Sequence, residues 1–453
     1  MLLVECRQGN ILIDCGMFQG RRAESSARNS TVPRVATEAA VVLLTHAHVD
    51  HSGSLPTLVK SGFRGVIYCT AATRDVAALM LADSARIQFS DAQYLNRKFE
   101  DDPGWIPLVP VYDEDDVADT LARMIGVPYH HVYTPLPGVT AHFRDAGHIL
   151  GSAHLHLTID EGDGRVTRLA VSGDLGRHGL PLLRDPEPPE TPADFVVMES
   201  TYGNRTHPPV AGAEASLTRI VNETVARGGR IIVPAFALGR TQELVYVLHE
   251  LRLAGKIPPI PVYVDSPLAT AVTSLYRLHP ECMDRAARAF LSDAGSIFDF
   301  EGLTYVGTAE DSMALNHIDE PIILISAAGM CESGRVLHHL RRAVEDSRHT
   351  IVIVGFQAQH TLGRRFVERR PQVKIFGVER DLNAHVEVID AFSAHADQGG
   401  LLQYAQGFGP PVKQIFLVHG EPDQQEPLKV ELEARGRRVT IPRRGQIVDL
   451  TGF

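Results

Sequence analysis

The densest concentration of metal-binding chemistry in the sequence is the run His46-Ala47-His48-Val49-Asp50-His51, which begins one residue after the apolar stretch VVLL. Four donors within six residues, on a loop leaving a strand, can point two histidines at one metal ion and an Asp/His pair at a second. Imidazole and carboxylate donors suit zinc, which in a catalytic site keeps one position open for water. One loop cannot complete two coordination spheres, so further ligands must come from other strand ends. His148 in DAGHILGSAH and Asp174 in VSGDLG both sit just past apolar runs, where glycines let the backbone come close to a metal. Asp14 in LIDCG also ends an apolar run, and its expected part is to orient an imidazole or a water rather than to ligate.

The elements that must position these residues are short. Before about residue 205, the runs ILIDCGMF, AVVLLTHA, GVIYCT, VTAHFRDAG, RLAVSGD and FVVMES read as buried strands. Most carry an acidic residue or a histidine where the apolar run stops, which is how α/β enzymes present ligands. From 206 to 385 the rhythm changes. RIIVPAF, PVYVDS, PIILISAA, TIVIVGF and VKIFGV alternate with helical stretches such as RTQELVYVLHELRLA and SGRVLHHLRRAVED, predicting a parallel, doubly wound sheet. From 386 strand-loop-helix pieces return, carrying His395 in FSAHAD and His419 in LVHGE.

Composition bounds the partners. A chain of 453 residues, 44% of them hydrophobic, supports one or two domains with substantial cores. No uninterrupted apolar stretch reaches the roughly 18 residues of a membrane span. The start MLLVECRQGN lacks a basic region and a sustained apolar core, so no export is expected. Five dispersed cysteines without a CxxC pair fit a reducing compartment, and a cytoplasmic location is expected. A net charge of -11 argues against a broadly basic surface, so contact with nucleic acid must be local. The basic runs Arg341-Arg342, Arg364-Arg365, Arg369-Arg370 and the tail from Arg435 to Arg444 read as solvated faces. Glycine-containing turns at 237–243, 327–334 and 360–365 place backbone amides at helix starts, where phosphate can bind without excess positive charge. The pairs His130-His131 and His338-His339 lack strand-end spacing and read as structural or exposed.

In this order, Asp14, the His46 to His51 run, His148 and Asp174 resemble the first four motifs of the metallo-β-lactamase superfamily. Glu199 in ESTYG, His395 and His419 resemble motifs A, B and C of its β-CASP nucleases. The resemblance implies an α/β fold: an αββα metallo-β-lactamase sandwich from 1–205 and 386–453, interrupted by a doubly wound parallel-sheet β-CASP domain at 206–385. It implies two Zn2+ ions, one held by His46, His48 and His148, the other by Asp50, His51 and His419, with Asp174 bridging. It assigns His395 as proton donor to the leaving oxygen, Glu199 as the group that orients it, and Asp50 a catalytic as well as a ligating part.

The activity so implied is zinc-dependent hydrolysis of single-stranded RNA to 5′-phosphate and 3′-hydroxyl products, away from membranes, with a homodimer as the candidate assembly. Rival readings are a DNA nuclease, a metallohydrolase of small esters and a noncatalytic RNA-processing subunit. In the DNA-acting branch the motif C position is typically valine, and His419 here favours RNA. Motifs A to C and the long middle segment disfavour a small-ester enzyme. Two departures from the family pattern carry expectations. The glycine-rich strand that usually precedes a strand like MLLVECRQ does not appear, so either Met1 is not the natural start or one sheet edge is short. His360 stands where the family has glycine, and an imidazole there would narrow or retune a substrate channel.

Overall fold

Period-two burial along short strands builds the first of two units, which comprises Met1–Gly176, Pro186–Arg205 and Asp397–Phe453. The computed structural model describes residues 1–18, 28–189, 192–355, 357–410 and 412–453. In the first unit β1 (Leu2–Cys6), β2 (Gly9–Ile13), β3 (Val41–Leu43), β4 (Val66–Cys69) and β5 (Met124–Gly126) lie side by side in that order. A second sheet holds β6 (Tyr133–Leu136), β7 (Val139–Asp145), β8 (Ala153–Asp160), β9 (Val166–Val171) and β10 (Phe195–Met198). Beyond β10 it is extended by two strands from the C-terminal segment, Gln414–Leu417 and Val439–Thr440.

Alternate residues Ile11 and Ile13, Val41 and Leu43, Val139 to Phe143, Leu155 to Ile159, and Phe195 and Val197 share one core cluster, so the sheets pack face to face. Burying each such side chain stabilises by about 1.5–3 kcal/mol. The intervening Leu12, Val42, Val196, Met198, Ile415 and Leu417 are buried as well. Helices with apolar faces of their own, among them Leu55–Lys60, Ala71–Lys98, Gln398–Gly407 and Pro422–Ala434, complete the αββα layers.

The strand β8, which pairs with both β7 and β9, is not among the strands read from the sequence. His154 and His156 interrupt its apolar pattern on the face away from the core cluster, where they meet the rings of Tyr404 and Phe408.

The second unit comprises Arg177–Asp185 and Thr206–Ala396. Its main sheet contains β11 (Ile231–Pro234), β12 (Val262–Asp265), β13 (Leu303–Tyr305), β14 (Ile323–Ser326) and β15 (Thr350–Ile353). The run VKIFGV does not join it. It folds instead as an antiparallel hairpin of β16 (Gln372–Ile375) and β17 (Val378–Asp381), turning at Phe376 and Gly377, both with positive φ. The sixth strand of the main sheet is β18 (His385–Val388), and the order β13-β12-β14-β11-β15-β18 is parallel throughout. This is the doubly wound sheet expected for the middle segment.

Because β18 pairs with β15, the second unit runs past 385 to Ala396. It also takes in Arg177–Asp185, where Leu183 bridges Met283. Strand pairing between distant segments decides these limits, and local composition does not report it. In TIVIVGF, Phe356 lies outside the described residues. The turns at 237–243, 327–334 and 360–365 follow β11, β14 and β15 at the carboxyl edge of the sheet, where β11 and β14 are neighbours. No described helix is long and apolar enough to cross a membrane.

His154 and His156 make the fold acid-sensitive. Burial, reinforced by neighbouring His142 and Arg144, pushes the His156 imidazole down to about 3, and burial holds His154 well below its ordinary value. The folded state thus refuses protons that the unfolded chain accepts near pH 6.5, so this share of stability is whole above about 6.5 and declines as pH falls toward 3. The urea midpoint of His156→Gln should therefore fall less steeply than wild type between pH 6.5 and 5. Parallel curves would show that His156 does not titrate in this way.

Candidate metal centre

Within the first unit, several strands end at one edge and release polar residues there. β2 ends one residue before Asp14, β3 two before Thr45, β9 three before Asp174, β10 one before Glu199, and Gln414–Leu417 two before His419. Glycine makes the crowding feasible. A Cβ on Gly16 would lie 1.5 Å from the Asp50 carbonyl oxygen, and one on Gly173, at φ +56°, would lie 2.9 Å from the Thr45 Cβ.

Four donors converge first. His48 Nδ1 is 3.2 Å from both His46 Nε2 and His148 Nε2, while Asp174 Oδ2 is 3.4 Å from His46 Nε2 and 3.7 Å from His148 Nε2. Zinc with ligands at about 2.0–2.1 Å in a tetrahedron requires donor separations of about 3.3–3.4 Å. The four atoms can therefore hold such an ion with small adjustments.

A second group gathers around the other oxygen of the same carboxylate. Asp174 Oδ1 is 3.2 Å from His51 Nε2 and 3.6 Å from His419 Nδ1, and His419 Nε2 is 3.4 Å from Asp50 Oδ2. His51 Nε2 and Asp174 Oδ1 are both buried without a hydrogen-bond partner among the described residues. An atom pair of this kind needs a proton or a metal ion between its members. The donor set thus fits a metal at each end of Asp174. His46, His51, His148 and Asp174 are buried, whereas the side chains of Asp50 and His419 are 35% and 32% exposed, so the centre opens to solvent on their side.

Charge and hydrogen bonding orient the imidazoles. Asp14 Oδ2 accepts from His51 Nδ1 at 2.7 Å, which turns Nε2 inward. The same carboxylate accepts from the Thr45 amide at 2.8 Å and from the Thr45 hydroxyl at 2.9 Å. With its proton committed to Asp14, the Thr45 oxygen accepts from His46 Nδ1 at 3.0 Å and fixes that tautomer as well.

Burial works against charge on His51, but Asp174 and Asp14 outweigh it and hold the imidazole well above its ordinary range. The Asp174 charge pushes His419 up to about 9 despite burial. Burial lowers His46. Asp174 and Asp50 stay below the usual carboxylate range although burial opposes this, Asp174 through the charges of His419, His51 and His46, Asp50 through its hydrogen bond to His419. Positive charge is what this cluster selects, and a metal ion supplies it once His51 and His419 release protons.

The remaining site residues fall as follows. Glu199 is fully buried, its Oε1 accepting from the Leu175 amide at 2.6 Å and its Oε2 from the Thr201 amide at 3.3 Å. His419 takes a positive φ of 49°, and its carbonyl accepts from the Ser200 amide at 3.2 Å. His395 is half-buried in the second unit, whereas all the other expected site residues belong to the first. His360, also in the second unit, takes φ 71°, the left-handed region that glycine prefers. Thr45, Ser152, Ser172 and Thr201 are not singled out from the sequence. Ser152 Oγ accepts from the His148 amide and Ser172 Oγ from that of Glu199, both at 2.9 Å. Their only sequence signal is a hydroxyl residue near a strand end.

Residues 1–234 match the metallo-beta-lactamase superfamily, 241–366 the Beta-Casp domain, and 379–442 the Zn-dependent metallo-hydrolase RNA specificity domain. The chain is 35% identical over 437 residues to a ribonuclease of Thermus thermophilus, covering 96% of this chain and 93% of the relative. It is 33% identical over 430 residues to the transcription termination factor FttA of Methanosarcina mazei and 32% over 392 residues to that of Pyrococcus abyssi. These matches cover 92% and 84% of this chain but only 64% and 57% of the archaeal factors.

The shared carboxylate and its neighbour predict different metal losses. Asp174→Ala should empty both groups together in elemental analysis, whereas Asp14→Ala should weaken the ion at His46, His48 and His148 only slightly, because Asp14 reaches His46 only through the Thr45 hydroxyl. The same substitution should weaken the other by about 10–100-fold. Equal loss from both sites in Asp14→Ala would contradict the orienting part given to Asp14.

Proposed function

This chain belongs to the β-CASP group of the metallo-β-lactamase superfamily, and on that premise we propose that it is a two-zinc ribonuclease hydrolysing single-stranded RNA to 5′-phosphate and 3′-hydroxyl products. The observation that carries the reading is the pair of donor groups sharing Asp174 and opening to solvent beside Asp50 and His419. The name of the Thermus relative supports RNA as the substrate class.

His46, His48, His148 and Asp174 would hold one ion, and Asp50, His51, His419 and Asp174 the other. When bound, the zinc ions supply Lewis-acid charge to a phosphodiester and lower the pKa of water. Asp14 and Thr45 keep the imidazoles aimed inward, so no reorganisation is needed when substrate arrives. The part assigned to Asp50, whose side chain is partly exposed, is to help position the attacking water. His395 delivers a proton to the leaving oxygen, and Glu199, anchored by two backbone amides, keeps it in orientation. The turns at 237–243, 327–334 and 360–365 supply backbone amides for RNA phosphates.

A DNA nuclease reading is disfavoured by His419 at motif C, and a small-ester hydrolase by the β-CASP segment.

Two comparisons test the proposal. Zinc-loaded protein should cleave single-stranded RNA much faster than DNA of the same sequence, and equal rates would remove the argument from His419. In single-turnover cleavage beside zinc analysis, His395→Ala should keep its metal and lose about 10²–10⁴ in rate. His419→Ala should lose metal, with activity partly restored by excess zinc. Should His395→Ala lose zinc as readily, His395 is a ligand and not the proton donor.

A further inference from the structure

A strongly cationic cavity lies inside the second unit, away from the turns at the carboxyl edge of its sheet. It has a volume of about 450 Å³ and is floored by Ile232 of β11 and Leu324 of β14, which are register partners. Arg230, directly before β11, and His349, directly before β15, place the cavity at the amino edge of the parallel sheet. Arg341 and Arg342, from the last turn of Val336–Ala343, and Arg380 of β17 complete its charged wall.

Glu345 is the acidic lining residue, and it is committed to Arg380 at 2.7 Å. Among the described residues no lining carboxylate therefore offsets Arg230, Arg341 and Arg342. Asp319 and Asp346 act on Arg230 from outside the lining, and Asp346 is itself paired with Arg348 at 2.7 Å. Burial lowers the Arg230 guanidinium from its ordinary value, and the nearby charges of Arg342 and Arg348 add to this. Three guanidinium groups around one cavity repel each other unless an anion lies among them. In a chain of net charge -11 such a concentration is local by construction.

The shape selects among anions. The volume falls within the roughly 300–1,000 Å³ of small-molecule sites and far exceeds what a single phosphate fills. Guanidinium forks match phosphoryl oxygens in pairs, and several arginines suit consecutive phosphoryl groups. We propose that this cavity is a binding site for a triphosphate group, held by Arg230, Arg341 and Arg342. The group is carried both by free nucleoside triphosphates and by 5′-triphosphorylated RNA ends. The site does not depend on the ribonuclease reading.

Calorimetric titration of the zinc-loaded protein, in excess magnesium, tests it with two probes: ATP and a short 5′-triphosphorylated oligoribonucleotide set against its 5′-hydroxyl counterpart. Saturable binding should weaken at least 10-fold in R341E/R342E and should fall as salt rises. Both residues are exposed, so the fold should survive, as an unchanged thermal midpoint would verify. The milder Arg342→Gln should lose affinity by a smaller factor. Response of ATP alone identifies the free nucleotide as ligand, and response of the triphosphorylated RNA alone identifies the RNA end. Failure of both probes to bind saturably, or equal affinity in wild type and R341E/R342E, would overturn the proposal.

Discussion

A carboxylate that is 2% exposed, with each oxygen facing a different set of imidazoles, is the constraint on which the first unit depends. Burying Asp174 would be costly in isolation, since a lone charge in a protein interior is strongly disfavoured. The chain resolves the cost by surrounding it with His46 and His51 from one loop, His148 from a second and His419 from a third. Those loops must leave their strands at one edge, in register and at close quarters. The sandwich supplies the common edge, and Gly16 and Gly173 supply the clearance.

The same constraint explains the polar residues one layer out. An imidazole can ligate only if its other nitrogen is held, and Asp14 performs this directly for His51 and through the Thr45 hydroxyl for His46. Glu199 is fixed in a comparable way by the Leu175 and Thr201 amides. These contacts tie β2, β3, β9 and β10 to one another at their ends, so the packing core and the chemical centre stabilise each other. Loss of the Thr45 hydroxyl would loosen the His46 and His51 imidazoles at once.

Legibility in the sequence followed how local each feature is. The His46 to His51 run was readable because its donors lie within six residues, and His148 and Asp174 because glycines and apolar runs mark their strand ends. Asp14 was readable as an orienting carboxylate, and its 2.7 Å contact with His51 has that form. Glu199 and His395 stood out only through resemblance to a known family.

What escaped depends on distant pairing. β8 was hidden by His154 and His156, whose burial comes from Tyr404 and Phe408 far along the chain. The middle compact unit extends beyond 385 to Ala396 because β18 pairs with β15. Arg341 and Arg342 read as a solvated face, and only the fold brings Arg230 beside them. The shared role of Asp174 can be put to one measurement: anomalous diffraction at the zinc edge from crystals of the zinc-loaded protein. The account predicts two peaks, one within about 2.0–2.2 Å of His46 Nε2, His48 Nδ1, His148 Nε2 and Asp174 Oδ2, the other as close to Asp50, His51 Nε2, His419 and Asp174 Oδ1. A single peak, or two peaks of which only one is bound by Asp174, would contradict it.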